Sequence, residues 1–175
     1  MLKIGLLLGS FDPPHIGHVA AYYYAQQFLD GVWIVPAFKN PWKEHKASYE
    51  DRVEMCKRQF PNTAHISTIE KDIKVKASYT YKVLEALKSK RFYNIDAEYS
   101  LILGEDEDPS KWKEGNWILK NFNIIRVPRG TAELGITVSS TILRDNIKNN
   151  KLVFPYINIE TLKYIKEHNL YVSDN

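Results

Sequence analysis

Cysteine is nearly missing from this chain, and its one thiol, Cys56, excludes both an internal disulfide and a multi-cysteine metal site. Also missing is any apolar run of membrane-spanning length. The N-terminal run Ile4-Gly5-Leu6-Leu7-Leu8 is interrupted by Gly9, Asp12 and two prolines before it reaches the length of a secretory signal. A reducing cytoplasm is therefore the expected location. There is little charge of one sign to spare, since 24 Lys and Arg against 21 Asp and Glu leave only +3. The lysines scatter apart from clusters at 39–46 and 71–76, with no basic stripe to track a nucleic acid, so small polyphosphate ligands suit the balance better. Repeats, linkers and low-complexity tracts are absent too, and 175 residues suffice for a single domain, 1–175, with one substantial core. The oligomeric state stays open, a homo-oligomer included.

What is present alternates. Apolar runs at Lys3 to Leu8, Val32 to Pro36, His65 to Ile69, Tyr99 to Leu103 and Asn123 to Val127 read as strands. Between and after them, Ile16 to Leu29, Tyr49 to Gln59, Thr80 to Lys88, Ser140 to Asn149 and Ile159 to His168 read as helices, the last two forming a helical C-terminal part of about 139–170. Continuous apolar strands separated by helices predict an α/β, Rossmann-like architecture: a parallel sheet of about five strands covered on both faces, with ligands at the strands' carboxyl ends.

The densest signal is Gly9-Ser10-Phe11-Asp12-Pro13-Pro14-His15-Ile16-Gly17-His18, which joins the first strand to the first helix. A helix N-terminus reached through such a turn attracts anions, because its first N–H groups have no intrahelical partner. Gly9 allows the backbone close to a ligand, the prolines stiffen the turn, and Gly17 is expected to leave room for a base or sugar. His15 and His18, three apart, share one face of the first turn and point to phosphate chemistry. A second anion signal is Val138-Ser139-Ser140-Thr141-Ile142-Leu143-Arg144. Its hydroxyls cap a helix, and the arginine fork of that helix can hold a polyphosphate in one orientation.

The first string resembles the GxFxPxHxGH signature of the adenylyltransferases that make dinucleotide cofactors, within the nucleotidyltransferase superfamily. As FDPPHxGH it is most similar to nicotinate mononucleotide adenylyltransferases, and Ser139 to Arg144 resembles that family's SSTxxR element. The resemblance implies an enzyme of NAD biosynthesis that joins ATP to a pyridine mononucleotide. The mononucleotide 5′-phosphate attacks the α-phosphorus in line and pyrophosphate leaves with Mg²⁺, which is carried by the nucleotide rather than by a protein metal site.

Carried over residue by residue, the resemblance implies catalytic roles for His15, His18, Arg144 and Lys43. It implies ATP contacts from Gly9, Ser10, Phe11, Gly104, Asp106, Ser139, Ser140 and Thr141 as well. Mononucleotide contacts are implied for Asn40, Lys43, Arg52, Ser78, Tyr79, Thr80 and Trp112, with Trp117 a competing stacking candidate. The turn at Ser78-Tyr79-Thr80 suits a pyridine carboxylate or carboxamide through its amides. The acidic run Glu105-Asp106-Glu107-Asp108 is more than the family pattern needs, and the step from it to Trp112 is shorter. Carboxylates in the pyridine pocket would favour nicotinamide over nicotinate mononucleotide, whereas carboxylates facing water would not, and the second case is expected. Rival readings are a nicotinamide-preferring enzyme and a pantetheine-phosphate adenylyltransferase, in which threonine usually stands at the His15 position. A nucleotide-binding sensor without turnover is the rival from another class.

Overall fold

The computed structural model describes residues 1–90, 95–128 and 138–172. Five strands form one parallel sheet in the order β3-β2-β1-β4-β5. β1 (Leu2–Gly9) is central, between β2 (Gly31–Pro36) and β4 (Ala97–Gly104), with β3 (His65–Ile66) and β5 (Asn123–Val127) at the edges. Ile4 lies opposite Gly31 on one side and Tyr99 on the other. Parallel neighbours need long crossovers, and helices supply them. α1 (Ile16–Gln26), α2 (Tyr49–Gln59), α3 (Ile69–Asp72), α4 (Thr80–Lys88) and α5 (Gly115–Asn121) connect the strands, and α6 (Ser140–Lys148) and α7 (Ile159–Glu167) follow them.

The strands are apolar throughout because both faces are covered. On one face Ile4 and Leu6 pack with Val83, Leu84 and Leu87 of α4 and Ile118 of α5. On the other, Leu7 packs with Tyr22 and Ala25 of α1 and with Cys56 of α2. A third cluster, Met55, Leu143, Val153, Ile157, Tyr164 and Ile165 among its members, seats α6 and α7 against α2. Asn158 fastens that seat: it caps α7 by accepting the Thr161 N–H at 2.8 Å and donates to the Arg58 carbonyl at the end of α2 at 2.6 Å.

Two boundaries differ from the sequence expectation. β3 pairs only over His65–Ile66, because Ile69, fully buried, already belongs to α3, a helix with no strong signal in so short a segment. α1 stops at Gln26 rather than Leu29, since the chain tightens (Phe28 N–H to Ala25 O, 3.1 Å) to bring the Asp30 carboxylate onto the Lys3 N–H at 2.7 Å.

From β1 the sheet continues to β2 on one side and to β4 on the other, so the switch in strand order falls between β1 and β4. That is where a crevice opens at the carboxyl ends. A short 3-10 turn, Pro109–Lys111, and α5 form its wall after β4. Gly115 starts α5 so close to this turn that an added Cβ would sit 2.1 Å from the Pro109 carbonyl oxygen and 2.9 Å from that of Ser110. Both obstacles are backbone, so Gly115→Ala is expected to destabilise the fold by about 1–3 kcal/mol, the usual cost of overpacking. Urea unfolding checks this, and an unchanged midpoint would refute the close approach.

Candidate active site

The turn after β1 is shaped from below. Phe11 adopts a left-handed backbone (φ 49°) and is 1% exposed. Its ring lies under Gly9, where a Cβ would come within 3.1 Å of Phe11 Cζ, and it meets the His18 and Phe60 rings edge-on at 4.9 and 5.9 Å. The sequence expectation that Phe11 contacts ATP is corrected accordingly: its side chain is a core plug that sets the turn. The space kept by Gly17 is likewise filled by protein rather than left for a sugar. A Cβ there would lie 3.0 Å from His15 Cε1.

His15 and His18 close the N-terminus of α1 reciprocally. His15 Nδ1 accepts the Gly17 N–H and His18 Nδ1 accepts the His15 N–H, each at 3.1 Å. This is a capping box built from imidazoles. With both Nδ1 atoms accepting, the proton of each neutral ring is on Nε2, which leaves two N–H donors on rings whose centroids are 3.8 Å apart. Burial brings the His15 pKa down to about 4, and burial together with the neighbouring His15 lowers that of His18 well below its usual value. Both rings are therefore neutral donors at pH 7.

Around them the turn is tied from three directions. The buried Asp12 carboxylate accepts the N–H groups of Lys46 (2.7 Å) and Ala47 (3.1 Å) and the hydroxyl of Tyr171 (2.7 Å). Arg144 reaches back across the sequence to give Nη1 to the Asp12 carbonyl at 2.6 Å, while its Nη2 donates to Thr141 Oγ1 at 3.2 Å. Ser140 Oγ donates to the Pro13 carbonyl at 2.8 Å, and Ser139 is the N-cap of α6, accepting the Ile142 N–H at 3.3 Å. The two anion signals of the sequence thus converge on one turn. His45 joins them with Nε2 at 3.3 Å from Ser10 Oγ.

Arg52 is a correction. It is 1% exposed and donates through Nη1 to the Ser10 carbonyl at 2.8 Å, so it braces the turn from behind and is closed off from a mononucleotide. Burial lowers its pKa, with the nearby Asp12 charge acting in the opposite direction.

A second hollow, of about 330 Å³, lies beside the N-terminus of α4 and is lined by Trp42, Ser78, Tyr79, Thr80, Lys111, Trp112 and Lys113. The N-cap residue of α4, Tyr79, makes no side-chain capping bond, so the first turn of this helix opens on the hollow. Asn40 acts one step away: its Oδ1 accepts the N–H groups of Trp42 (2.8 Å) and Lys43 (3.2 Å), a turn that lifts Trp42 and Lys43 to the rim. The Ser78 hydroxyl is committed elsewhere, to Glu70 and to the Lys39 N–H, so its side chain holds the loop rather than a ligand. Trp117 packs on Phe122 with centroids 5.5 Å apart and is not among the lining residues.

Gly104 ends β4, and Asp106 lies in the turn that follows it. Glu105, Asp106, Glu107 and Asp108 are all exposed and none lines the hollow. Among the described residues no group of three or more His, Cys, Asp or Glu could hold a metal ion, and no helix is long and apolar enough to cross a membrane.

The sequence reading passed over Asp12, Glu70 and Tyr171. Asp12 lies inside the quoted motif and its acidity was a signal against phosphate contact, hence for a structural role. Tyr171 carries no local signal, because its partner is 159 residues away.

Comparison with known proteins agrees with this geometry. The cytidylyltransferase-like family model matches residues 6–146. A relative from Flavobacterium psychrophilum named Probable nicotinate-nucleotide adenylyltransferase is 32% identical over 194 residues, spanning 97% of this chain and 99% of the relative. This chain belongs to that family. A crystal structure from Vibrio parahaemolyticus, also named for nicotinate-nucleotide adenylyltransferase, shares the fold with a TM-score of 0.78 at 19% identity over 99% of this chain and 98% of the other. The nicotinic acid mononucleotide adenylyltransferase of Plasmodium falciparum complexed with NaAD superposes with a TM-score of 0.71, again at 19% identity, covering 98% of each chain.

The low histidine pKa values carry a stability consequence. In the unfolded chain both imidazoles protonate near the ordinary value of 6.5, whereas in the folded protein His15 does so only near 4 and His18 well below 6.5. Between those limits the unfolded state binds more protons, so stability is fully present above pH 6.5 and is lost as pH falls. For His15 alone the loss by about pH 4.5 is on the order of 2 kcal/mol. Urea unfolding from about pH 7 to about pH 4.5 is expected to show this slope, and His15→Asn, which keeps a capping acceptor without titrating, is expected to flatten it. An equal slope in the variant would refute it.

Proposed function

We propose that this chain transfers AMP from ATP to nicotinate mononucleotide, giving the dinucleotide and pyrophosphate in NAD biosynthesis. The observation that supports it best is the convergence of two neutral imidazoles, each with its Nε2–H unused by the helix cap, and one arginine fork on a single pre-formed turn. An aromatic hollow of mononucleotide-ring size adds to it, beside an N-terminus that side chains leave uncapped.

In this reading the mononucleotide 5′-phosphate oxygen attacks the α-phosphorus in line as the bond to the pyrophosphate oxygen breaks. No covalent intermediate is needed. The chain positions two anions and stabilises the charge that shifts onto the leaving group. Gly9 and Ser10, at the end of β1, line the ATP phosphates together with His15 and His18, whose donors require no proton loss. Arg144 turns from the Asp12 carbonyl towards the departing pyrophosphate, with Ser139 to Thr141 at the same helix start, and Lys43 meets the incoming phosphate at the rim. Gly104, at the end of β4, and Asp106, in the turn that follows it, face the nucleoside side of the crevice. Mg²⁺ would arrive on the phosphate oxygens and offset their charge. The donors at the turn are amides, imidazoles and a guanidinium, which fit phosphate oxygens rather than the metal itself.

The pyridine ring stacks on Trp112, and its carboxylate takes the α4 amides after Tyr79. Charge supports nicotinate over nicotinamide: Lys111 and Lys113 line the hollow, Lys111 paired with Asp108 at 3.4 Å and Lys113 Nζ 4.6 Å over the Tyr79 ring, and no carboxylate of the acidic run lines it.

Pyrophosphate release from ATP and nicotinate mononucleotide tests the activity and separates an enzyme from a sensor. His18→Ala is expected to lower kcat/KM about 100- to 1000-fold, as loss of one pre-organised donor does, while the lost cap costs only about 1 kcal/mol of stability. A variant with wild-type kcat/KM would remove His18 from the reaction. For specificity, kcat/KM for nicotinate mononucleotide is expected to exceed that for nicotinamide mononucleotide by about tenfold or more, about 1.4 kcal/mol. Glu105→Gln combined with Glu107→Gln is expected to leave that ratio unchanged. A nicotinamide preference that shifts towards nicotinate in the double variant would make the acidic run the specificity element.

A further inference from the structure

Glu70 is a buried carboxylate for which the reaction has no use. It stands on α3 at 2% exposure, and burial raises its pKa against the hydrogen bonds from Ser78 and Phe38 that lower it. Burying a carboxylate costs several kcal/mol unless donors surround it, so its partners are informative. Glu70 Oε2 accepts the Phe38 N–H at 2.7 Å and the Ser78 hydroxyl. Ser78 is in turn joined to Lys39 both ways: the Lys39 N–H donates to Ser78 Oγ and the Ser78 N–H donates to the Lys39 carbonyl, each at 2.7 Å.

These bonds join two segments that otherwise belong to different crossovers. Phe38 and Lys39 come just after β2, and Ser78 comes just before α4. The chain then leaves the junction in two directions and makes two walls of one hollow. One residue after Lys39, Asn40 folds the turn that presents Trp42 and Lys43. Directly after Ser78, Tyr79 and Thr80 form the opposite wall, with the Trp42 and Tyr79 ring centroids 6.5 Å apart. The distance between the walls is thus set by one carboxylate, four residues from Trp42 on one side through Phe38 and one residue from Tyr79 on the other through Ser78.

We infer that Glu70 is a positioning residue for the mononucleotide: it latches the loop after β2 to the start of α4 and thereby fixes the width of the pyridine pocket, without touching substrate. The pocket's occupant is that of the proposed function, and the inference rests on that reading, whereas the latch itself does not. A residue that served stability alone would affect both substrates equally. Glu70 lies on the mononucleotide side only, since the ATP turn is held by a different carboxylate, Asp12.

The test uses the full chain with Glu70→Ala, Glu70→Gln and Ser78→Ala. KM for nicotinate mononucleotide is expected to rise about tenfold in Glu70→Ala and Ser78→Ala, with KM for ATP within about twofold of wild type. Glu70→Gln is expected to lie between, because an amide oxygen in the place of Oε2 can keep both the Phe38 N–H and the Ser78 hydroxyl but without the negative charge that strengthens them. Hydrogen exchange of the Phe38 and Lys39 amides is expected to speed up at least tenfold in Ser78→Ala and Glu70→Ala, while the Lys46 and Ala47 amides stay protected by Asp12. If Glu70→Ala does not fold, Ser78→Ala and Glu70→Gln carry the comparison. Equal increases in both KM values, or an unchanged mononucleotide KM despite faster exchange at Phe38 and Lys39, would overturn the positioning role. Equilibrium binding of nicotinate mononucleotide, followed by tryptophan fluorescence, gives the same comparison without turnover. A wild type that binds but releases no pyrophosphate therefore sinks the activity alone, and weaker binding in Ser78→Ala still supports the latch.

Discussion

The Asp12 carboxylate is the constraint on which the turn after β1, with its two histidines, depends. It lies within the turn after β1, and a buried anion of this kind must be surrounded by donors or it destabilises the fold. Its donors come from the loop before α2 (the Lys46 and Ala47 amides) and from the last described turn of the chain (the Tyr171 hydroxyl), whose pKa burial and Asp12 both raise. Its own peptide carbonyl receives Arg144. The turn is therefore held in shape by contacts from the C-terminal part of the chain, and His15 and His18 are set in place together with the fold. Charge-assisted hydrogen bonds of this sort contribute on the order of 1.5–3 kcal/mol each, enough to keep the turn in one conformation before any ligand arrives.

Pre-organisation also explains the histidines. An imidazole carrying its own positive charge would have to shed water and repel its neighbour 3.8 Å away. Burial keeps both rings uncharged instead, and the backbone N–H groups of His15 and Gly17 fix the tautomer. What remains is one Nε2–H donor on each ring of the pair at the start of α1. A phosphate entering there meets donors that need no reorganisation, and its negative charge raises the affinity of both rings for a proton.

Much of this was legible in the sequence. Apolar runs gave the strands, and the two anion motifs, 120 residues or more apart, pointed to one chemistry that the fold then brings to one turn. The failures share a physical cause: residue type announces chemistry, but the direction of the side chain decides whether a ligand can use it. Arg52 was expected to contact the mononucleotide. Yet it lies on the stripe Arg52, Met55, Cys56 and Gln59, the buried face of α2, and this helical period could have shown that it points inward. The Phe11 and Ser78 side chains are likewise occupied by protein, the one turned under Gly9 and the other turned to Glu70. Tyr171 could not have been found from spacing at all, because nothing near it in sequence tells of Asp12.

The acidic run shows how a carboxylate can shape a site without imposing its charge there. Glu107 Oε1 lies 3.4 Å from the Gly104 N–H, and Arg126 donates to the Gly104 carbonyl at 3.2 Å and to that of Glu107, so the run is wound tightly onto the end of β4 and β5. Asp108 then caps the following 3-10 turn by accepting the Ser110 N–H at 3.1 Å, and the turn ends at Trp112. The short step from strand to tryptophan is thus bridged by side chains that accept backbone N–H groups, and only Asp and Glu offer so many acceptors in so few residues. None of the four lines the hollow, but they are not equally solvated: burial raises the Glu107 pKa, and Asp108 Oδ2 pairs with Lys111 Nζ at 3.4 Å. What reaches the hollow is the product of that winding: the Trp112 ring, with Lys111 and Lys113 on either side of it. An acidic run has thus built a wall in which the charged lining groups are lysines, Lys111 held by Asp108 at 3.4 Å and Lys113 over the Tyr79 ring at 4.6 Å.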